Sequence, residues 1–150
     1  MDLNDISLQK LVQRISQDDF RKPFLHKALF NTRLQTTGGR YLLKSHDIEV
    51  NPKYVEKFGH DELVGIIKHE LCHYHLHLEG RGYRHRDRDF RVLMQKVGAP
   101  RFCSRIPQSY LVYRCQQCDA RYRRRKRMDV ARYVCGACKG KLIFFEKIVD

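Results

Sequence analysis

The sequence holds no run of eighteen apolar residues, so no stretch of it reads as a membrane-spanning helix. Its opening, Met1-Asp2-Leu3-Asn4-Asp5, lacks the basic-then-apolar plan of a secretory leader. No lipidation signal or basic amphipathic helix offers a membrane anchor either. An unsecreted chain has little use for disulfides, so the six cysteines point to metal binding in a reducing, cytoplasmic compartment. Acidic excess is also missing. Residues 1–80 balance 11 basic against 11 acidic side chains, whereas residues 81–150 carry 19 against 6, the whole formal charge of +13. Charge placed in this way predicts a polyanionic partner, nucleic acid before an anionic membrane. At 150 residues there is room for one ordinary domain and a small stapled module.

The stretch richest in chemistry is His69-Glu70-Leu71-Cys72-His73. Histidines four apart on a helix stand about one turn above each other, so both imidazoles reach a single metal ion. Glu70, beside the first of them, is placed to take a proton from water activated there. This is the H-E-x-x-H arrangement of zinc peptidases. The surroundings read as a helix: Asp61 is its expected N-cap, with Glu62 in the first turn. Leu63, Ile67, Leu71, Tyr74 and Leu78 form an apolar stripe, and Gly80 and Gly82 end the run. Ile66, His69, Glu70, His73 and His77 form the neighbouring stripe. Catalytic zinc takes three protein ligands and keeps one position open, so a third ligand is required. His85, the first histidine past the glycine turn, is the expected one; Asp87, Asp89, His75 and His77 remain alternatives.

Upstream, Leu8, Leu11, Val12 and Ile15 predict a helix over residues 5–16, capped by Asn4 or Asp5 and interrupted near Lys22-Pro23. Residues 28–34 and 39–44 read as strands joined in a hairpin around Thr36-Thr37-Gly38-Gly39, and residues 46–50 as a third strand. Asn51-Pro52 opens a short helix ending at Gly59. Phe90, Leu93, Met94 and Val97 predict a further helix over residues 86–97, stopped by Gly98-Ala99-Pro100, with a linker running on to Pro107.

From Tyr110 the pattern changes. Cys115, Cys118, Cys135 and Cys138 make two C-x2-C pairs with sixteen residues between them. Such pairs supply four thiolates to one structural zinc, with no open position. Tyr110, Val112 and Tyr122, then Leu142, Phe144 and Phe145, suit the short strands of a ribbon. Between the pairs lies the basic run Arg121, Arg123, Arg124, Arg125, Lys126 and Arg127, expected on an exposed connecting hairpin. Arginines suit phosphates, and Tyr122 or Tyr133 is available to stack on an unpaired base. Cys72 and Cys103 stay unpaired, Cys72 as a small buried side chain.

With these motifs placed, the chain resembles the SprT-like family, related to the catalytic domain of the Spartan DNA–protein crosslink proteases. The resemblance rests on Thr36-Thr37-Gly38-Gly39-Arg40-Tyr41, Asn51-Pro52, the His69–His73 motif, His85 near Asp89-Phe90, and the four cysteines. It implies a minimal zincin fold in which His69 and His73 hold zinc, Glu70 is the base and a third histidine follows downstream. His85 precedes Phe90 by five residues, where Spartan-type members have four. The expected class is α+β: a minimal zincin-like domain of helices and a small antiparallel sheet over residues 1–107, then a β zinc ribbon over residues 108–150. The expected activity is a DNA-associated zinc metallopeptidase acting on DNA-bound proteins, with one catalytic and one structural zinc. The alternative is a nucleic-acid-binding or regulatory protein that keeps a zincin scaffold without turnover.

Overall fold

The computed structural model describes residues 3–101 and 104–149, which fall into two compact units dividing between Arg105 and Ile106. Cys103 lies outside the described residues. No helix among them is long and apolar enough to cross a membrane. The architecture is α+β, with three strands in each unit.

The first unit opens with α1 (Asp5–Phe20), where Asn4 accepts a hydrogen bond from Ser7 N at 2.8 Å. Leu8, Leu11, Val12 and Ile15 are buried as the periodicity requires. The helix runs one turn past the expected end because Ser16 and Phe20 continue the buried stripe at i+4. Ser16 is polar, so the apolar pattern hides it. Its Oγ donates to Lys22 O and meets His75 Nε2, both at 2.7 Å.

The strands β1 (Ala28–Phe30), β2 (Gly39–Tyr41) and β3 (Ile48–Val50) are ordered β1-β3-β2. The hairpin expected around Thr36–Gly39 is absent. β1 pairs with β3 in parallel, from Ala28 against Ile48, while β2 pairs with β3 antiparallel. The centre goes to β3 because Ile48 and Val50 are both fully buried. After β1 the chain loops to the far edge, held there by Asn51 Nδ2 donating to Leu34 O and Thr37 O, each at 3.1 Å. The true hairpin is β2–β3, closed by Leu42 N to Asp47 O at 2.9 Å, with His46 in the left-handed region at φ 65°.

Asn51 then caps α2 (Pro52–Phe58), accepting from Lys53 N at 3.1 Å. Gly59, at φ 91°, ends α2 and starts α3 (His60–Leu78). That shared glycine moves Asp61 from the expected N-cap into the first turn beside Glu62, and no side chain caps the helix. Leu63, Ile67, Leu71 and Tyr74 are fully buried, whereas Leu78, at 46% exposure, runs past the core. The chain turns at Gly80 and enters α4 (Arg88–Val97), which buries Phe90, Met94 and Val97. α4 starts two residues later than its charge-rich lead-in suggests, because Asp87 holds an extended conformation and accepts from Arg84 N instead.

The second unit is a three-stranded antiparallel sheet, β5-β4-β6, of β4 (Ser109–Cys115), β5 (Arg121–Arg124) and β6 (Leu142–Val149). Cys115, Cys135 and Leu142 form its small core, with Tyr122, Met128 and Val130 packed around them.

Candidate metal centres

α3 lies against the β2 edge, and Gly39 makes that approach possible. A Cβ there would stand 2.7 Å from Ile66 Cγ2 and 3.3 Å from Glu70 Cγ. On this face His69 and His73 stand one turn apart, and the loop before α4 brings His85 over them. His85 Nε2 lies 3.0 Å from His69 Nε2 and 3.1 Å from His73 Nε2. The outward nitrogens are spoken for: His69 Nδ1 faces Pro100 O at 3.1 Å, and His73 Nδ1 faces Tyr83 O at 2.5 Å. A carbonyl only accepts, so each Nδ1 carries the proton and each Nε2 presents a lone pair inward.

Burial, the larger influence, lowers His69 and brings His73 down to about 4, so both rings are neutral at pH 7. His85 Nε2 faces both of these lone pairs, and with its own lone pair turned inward the three nitrogens make a neutral donor set for one cation. Zinc–nitrogen bonds of about 2.0–2.1 Å in a tetrahedron set nitrogens roughly 3.3 Å apart. The trio therefore fits zinc, and its backbone carbonyls are the outer partners that metal-bound histidines use. Glu70 sits beside the trio, only 7% exposed, and burial pushes its carboxyl up to about 8. Phe90 stacks on the His73 ring at 4.3 Å and holds its plane.

The alternative ligands are engaged elsewhere. His75 packs on Phe20 and bonds to Ser16. His77 Nδ1 meets the Tyr41 hydroxyl at 2.6 Å, and His46 Nδ1 meets the same oxygen at 2.7 Å. Asp89 accepts from Gly82 N at 3.0 Å and from Arg81 at 3.2 Å. Asp87 accepts from Arg84 N at 3.0 Å. Cys72 is fully buried, and its thiol is pushed up to about 12, chiefly by burial.

In the second unit the four cysteines come together, each with its sulfur within 4.8 Å of the others. Cys115 Sγ lies 3.4 Å from Cys138 Sγ, and Cys118 Sγ lies 3.6 Å from Cys135 Sγ. A zinc–sulfur tetrahedron sets sulfurs about 3.8 Å apart, slightly wider than these separations. The two knuckles repeat one geometry. Cys115 N donates to Ala120 O at 2.9 Å and Cys135 N to Gly140 O at 3.0 Å, while Asp119 and Lys139 take φ values of 63° and 62°. Backbone N–H groups of Gln117, Cys118 and Gly140 point at sulfur from 3.4–3.5 Å. Such donors favour thiolates, which are what zinc binds.

The Tyr122 hydroxyl accepts from Gly136 N at 3.1 Å and is left to donate to Cys135 Sγ at 3.0 Å. That bond, more than any other influence, brings the Cys135 thiol down to about 6. Tyr122 thus serves the cysteine cluster, a role its spacing gave no sign of. The Pro100 and Tyr83 carbonyls escaped the sequence reading as well, because any residue type supplies a carbonyl.

Arg121, Arg123 and Arg124 stand on β5, an edge strand, rather than on a hairpin connection; Arg125, Lys126 and Arg127 follow it, and all six are exposed. The aromatic rings nearest these arginines include two absent from the sequence reading of the run. Arg123 lies over Tyr110 at 4.3 Å, and Arg121 over Phe145 at 4.6 Å. Tyr133 pairs with Arg132 instead.

Comparison with known proteins covers both units and agrees with the ribbon reading of the four cysteines. The model described as SprT-like family matches residues 8–111, and the one described as SprT-like zinc ribbon domain matches residues 111–146. A Protein SprT-like from Bacillus cereus (strain B4264) is 58% identical over 145 residues, 93% of this chain and 95% of the relative. One from Geobacillus kaustophilus (strain HTA426) is 59% identical over 141 residues, 90% and 95% of the two chains. One from Anoxybacillus flavithermus (strain DSM 21510 / WK1) is 59% identical over 144 residues, 93% and 95%. No solved structure matches. Through both units, the helix-borne histidines and the four-cysteine ribbon alike, the chain belongs to the SprT-like family.

Proposed function

We propose that the chain is a zinc metallopeptidase acting on proteins bound to nucleic acid, DNA foremost, in the cytoplasm. The observation that carries this reading is the convergence of the Nε2 atoms of His69, His73 and His85 beside a buried glutamate. His69, His73 and His85 would hold the ion at one site, and Cys115, Cys118, Cys135 and Cys138 would hold a second, structural one. Zinc at the histidine site supplies Lewis acidity toward water and toward the scissile carbonyl.

The remaining steps fall to this chain's own groups. The Glu70 carboxylate takes a proton from the attacking water and returns it to the departing amine. With an ion held by the three histidines, Glu70 would be favoured as the carboxylate, the form that serves as a base. Pro100 and Tyr83 keep the histidines in the tautomer that binds. Arg121, Arg123, Arg124, Arg125, Lys126 and Arg127 contact phosphates along the β5 edge and beyond it, with single-stranded or distorted DNA favoured only weakly over RNA. The test compares wild type with Glu70→Gln for cleavage of a basic DNA-bound protein, with and without single-stranded DNA. Cleavage by wild type alone, increased by DNA, supports the reading; equal behaviour of the two opposes it.

A second reading is a non-proteolytic nucleic-acid-binding or regulatory protein on a zincin scaffold. It draws on Tyr41, which borders the same groove as the histidines but has its hydroxyl shared by His46 and His77 instead of free for an oxyanion. Absence of cleavage on every DNA-bound substrate favours that reading.

A further inference from the structure

Beside Glu70 the first unit holds a cavity of about 270 Å³. Ile66, Phe90, Met94 and Pro100 wall it, and His69 and Glu70 border it. Gly65 lets the Pro100 wall close in, since a Cβ there would stand 3.0 Å from Pro100 Cγ. Interiors normally fill such space with side chains, so an open apolar cavity beside a buried carboxylate calls for an occupant. A cavity of about 150 Å³ holds a benzene ring, so this one has room for a large aliphatic or aromatic side chain.

We infer that this cavity receives the substrate side chain next to the bond to be cut, selecting a large apolar residue and refusing lysine and arginine. The inference rests on the reading of the histidine trio as an open zinc site. Charge decides the second half of it. Two carboxylates border the cavity, Glu70 and Glu62. Glu70 stands at the histidine end, while Glu62 accepts from Ser104 N at 2.7 Å and from Ser104 Oγ at 3.0 Å. The other charged neighbours are Arg91 and Arg101, both cationic. A lysine or arginine entering would lose its water and meet like charge at the rim, and the carboxylates among the described lining residues are Glu62, already held by Ser104, and Glu70, which the proposed reaction uses as its base. The basic character expected of a DNA-bound substrate would then serve its delivery, and cleavage would fall beside its apolar residues.

The test uses the zinc-loaded full chain and three hydroxamates that bind zinc through one head: acetohydroxamate, 4-phenylbutanoyl hydroxamate and 6-aminohexanoyl hydroxamate. By calorimetry the phenyl tail should tighten binding roughly 10- to 100-fold over acetohydroxamate, and the amino tail should add nothing. Met94→Trp should fill the cavity and erase the phenyl gain while leaving acetohydroxamate affinity in place, which shows that the site is still folded. Met94→Ala, a second variant, should enlarge the cavity and admit a biphenyl tail that gains nothing in wild type. Equal binding of phenyl and acetyl forms, an equal gain from the amino tail, or a gain that survives Met94→Trp overturns the inference while the zinc site stands. Failure of acetohydroxamate to bind at all overturns the open-site reading and this inference with it.

Discussion

The histidine cluster draws on distant pieces of chain, with His69 and His73 on α3, His85 in the loop before α4, and carbonyls from Tyr83 and Pro100 behind them. The cysteine cluster is two copies of one local motif, Cys115–Ala120 and Cys135–Gly140, with matching hydrogen bonds and matching left-handed residues. The first is assembled by the fold, so its geometry exists once helices and sheet are packed. The second has only a small core, Cys115, Cys135 and Leu142, so an ion held by its four thiolates would supply what packing does not. The difference teaches that a zinc-helping fold and a zinc-dependent fold should respond oppositely to loss of metal.

The largest expected effect is therefore Cys115→Ser. It should remove one of two zincs and melt the strands of the second unit while the helices of the first persist, as read by elemental analysis and amide exchange. Retention of both zincs, or collapse of both units together, would show that the two units do not differ in their dependence on metal. Next comes His85→Ala, which should abolish zinc at the histidine site, a loss beyond the roughly 10- to 100-fold of an outer partner, yet leave the first unit folded. Retained zinc there, with loss in Asp89→Ala or His77→Ala, would reassign the third ligand.

A paired substitution sharpens the contrast. Gly140→Ala places a Cβ 2.8 Å from Cys115 Sγ, whereas Gly39→Ala places one 2.7 Å from Ile66 Cγ2 and 3.0 Å from Glu49 O. The first should weaken only ribbon zinc, and the second should destabilise only the first unit, by about 1–3 kcal/mol in denaturant unfolding. The smallest effect should be that of Tyr122→Phe. With the hydroxyl gone from Cys135, ribbon zinc should bind about tenfold more weakly in a chelator competition, with the sheet unchanged.

The same contrast governs what was legible beforehand. Metal ligands four apart on a helix, or three apart in a knuckle, are fixed by local geometry, so HELCH and both C-x2-C pairs stand out in the bare sequence. The apolar stripe of α3 was legible for the same reason. The position of His85 beside His69 and His73 depends on a turn whose closure the sequence does not specify, and only the fold shows that His75 meets Ser16 and His77 meets Tyr41. Strand order is not legible in the same way, because turn-forming residues at Thr36–Gly39 suit a loop as well as a hairpin, and Asn51, which pins that loop, reads first as a helix cap. The Asp61 cap failed because Gly59 serves two helices at once.

An open histidine cluster and a closed cysteine cluster should differ in whether a small anion can join the bound ion. Cobalt(II) exchanged into both sites, followed by optical absorption during an azide titration, tests it most directly. The bands of histidine-bound cobalt should shift with azide while the thiolate–cobalt bands stay fixed. Histidine-site bands that ignore azide, or thiolate bands that move with it, would contradict that difference.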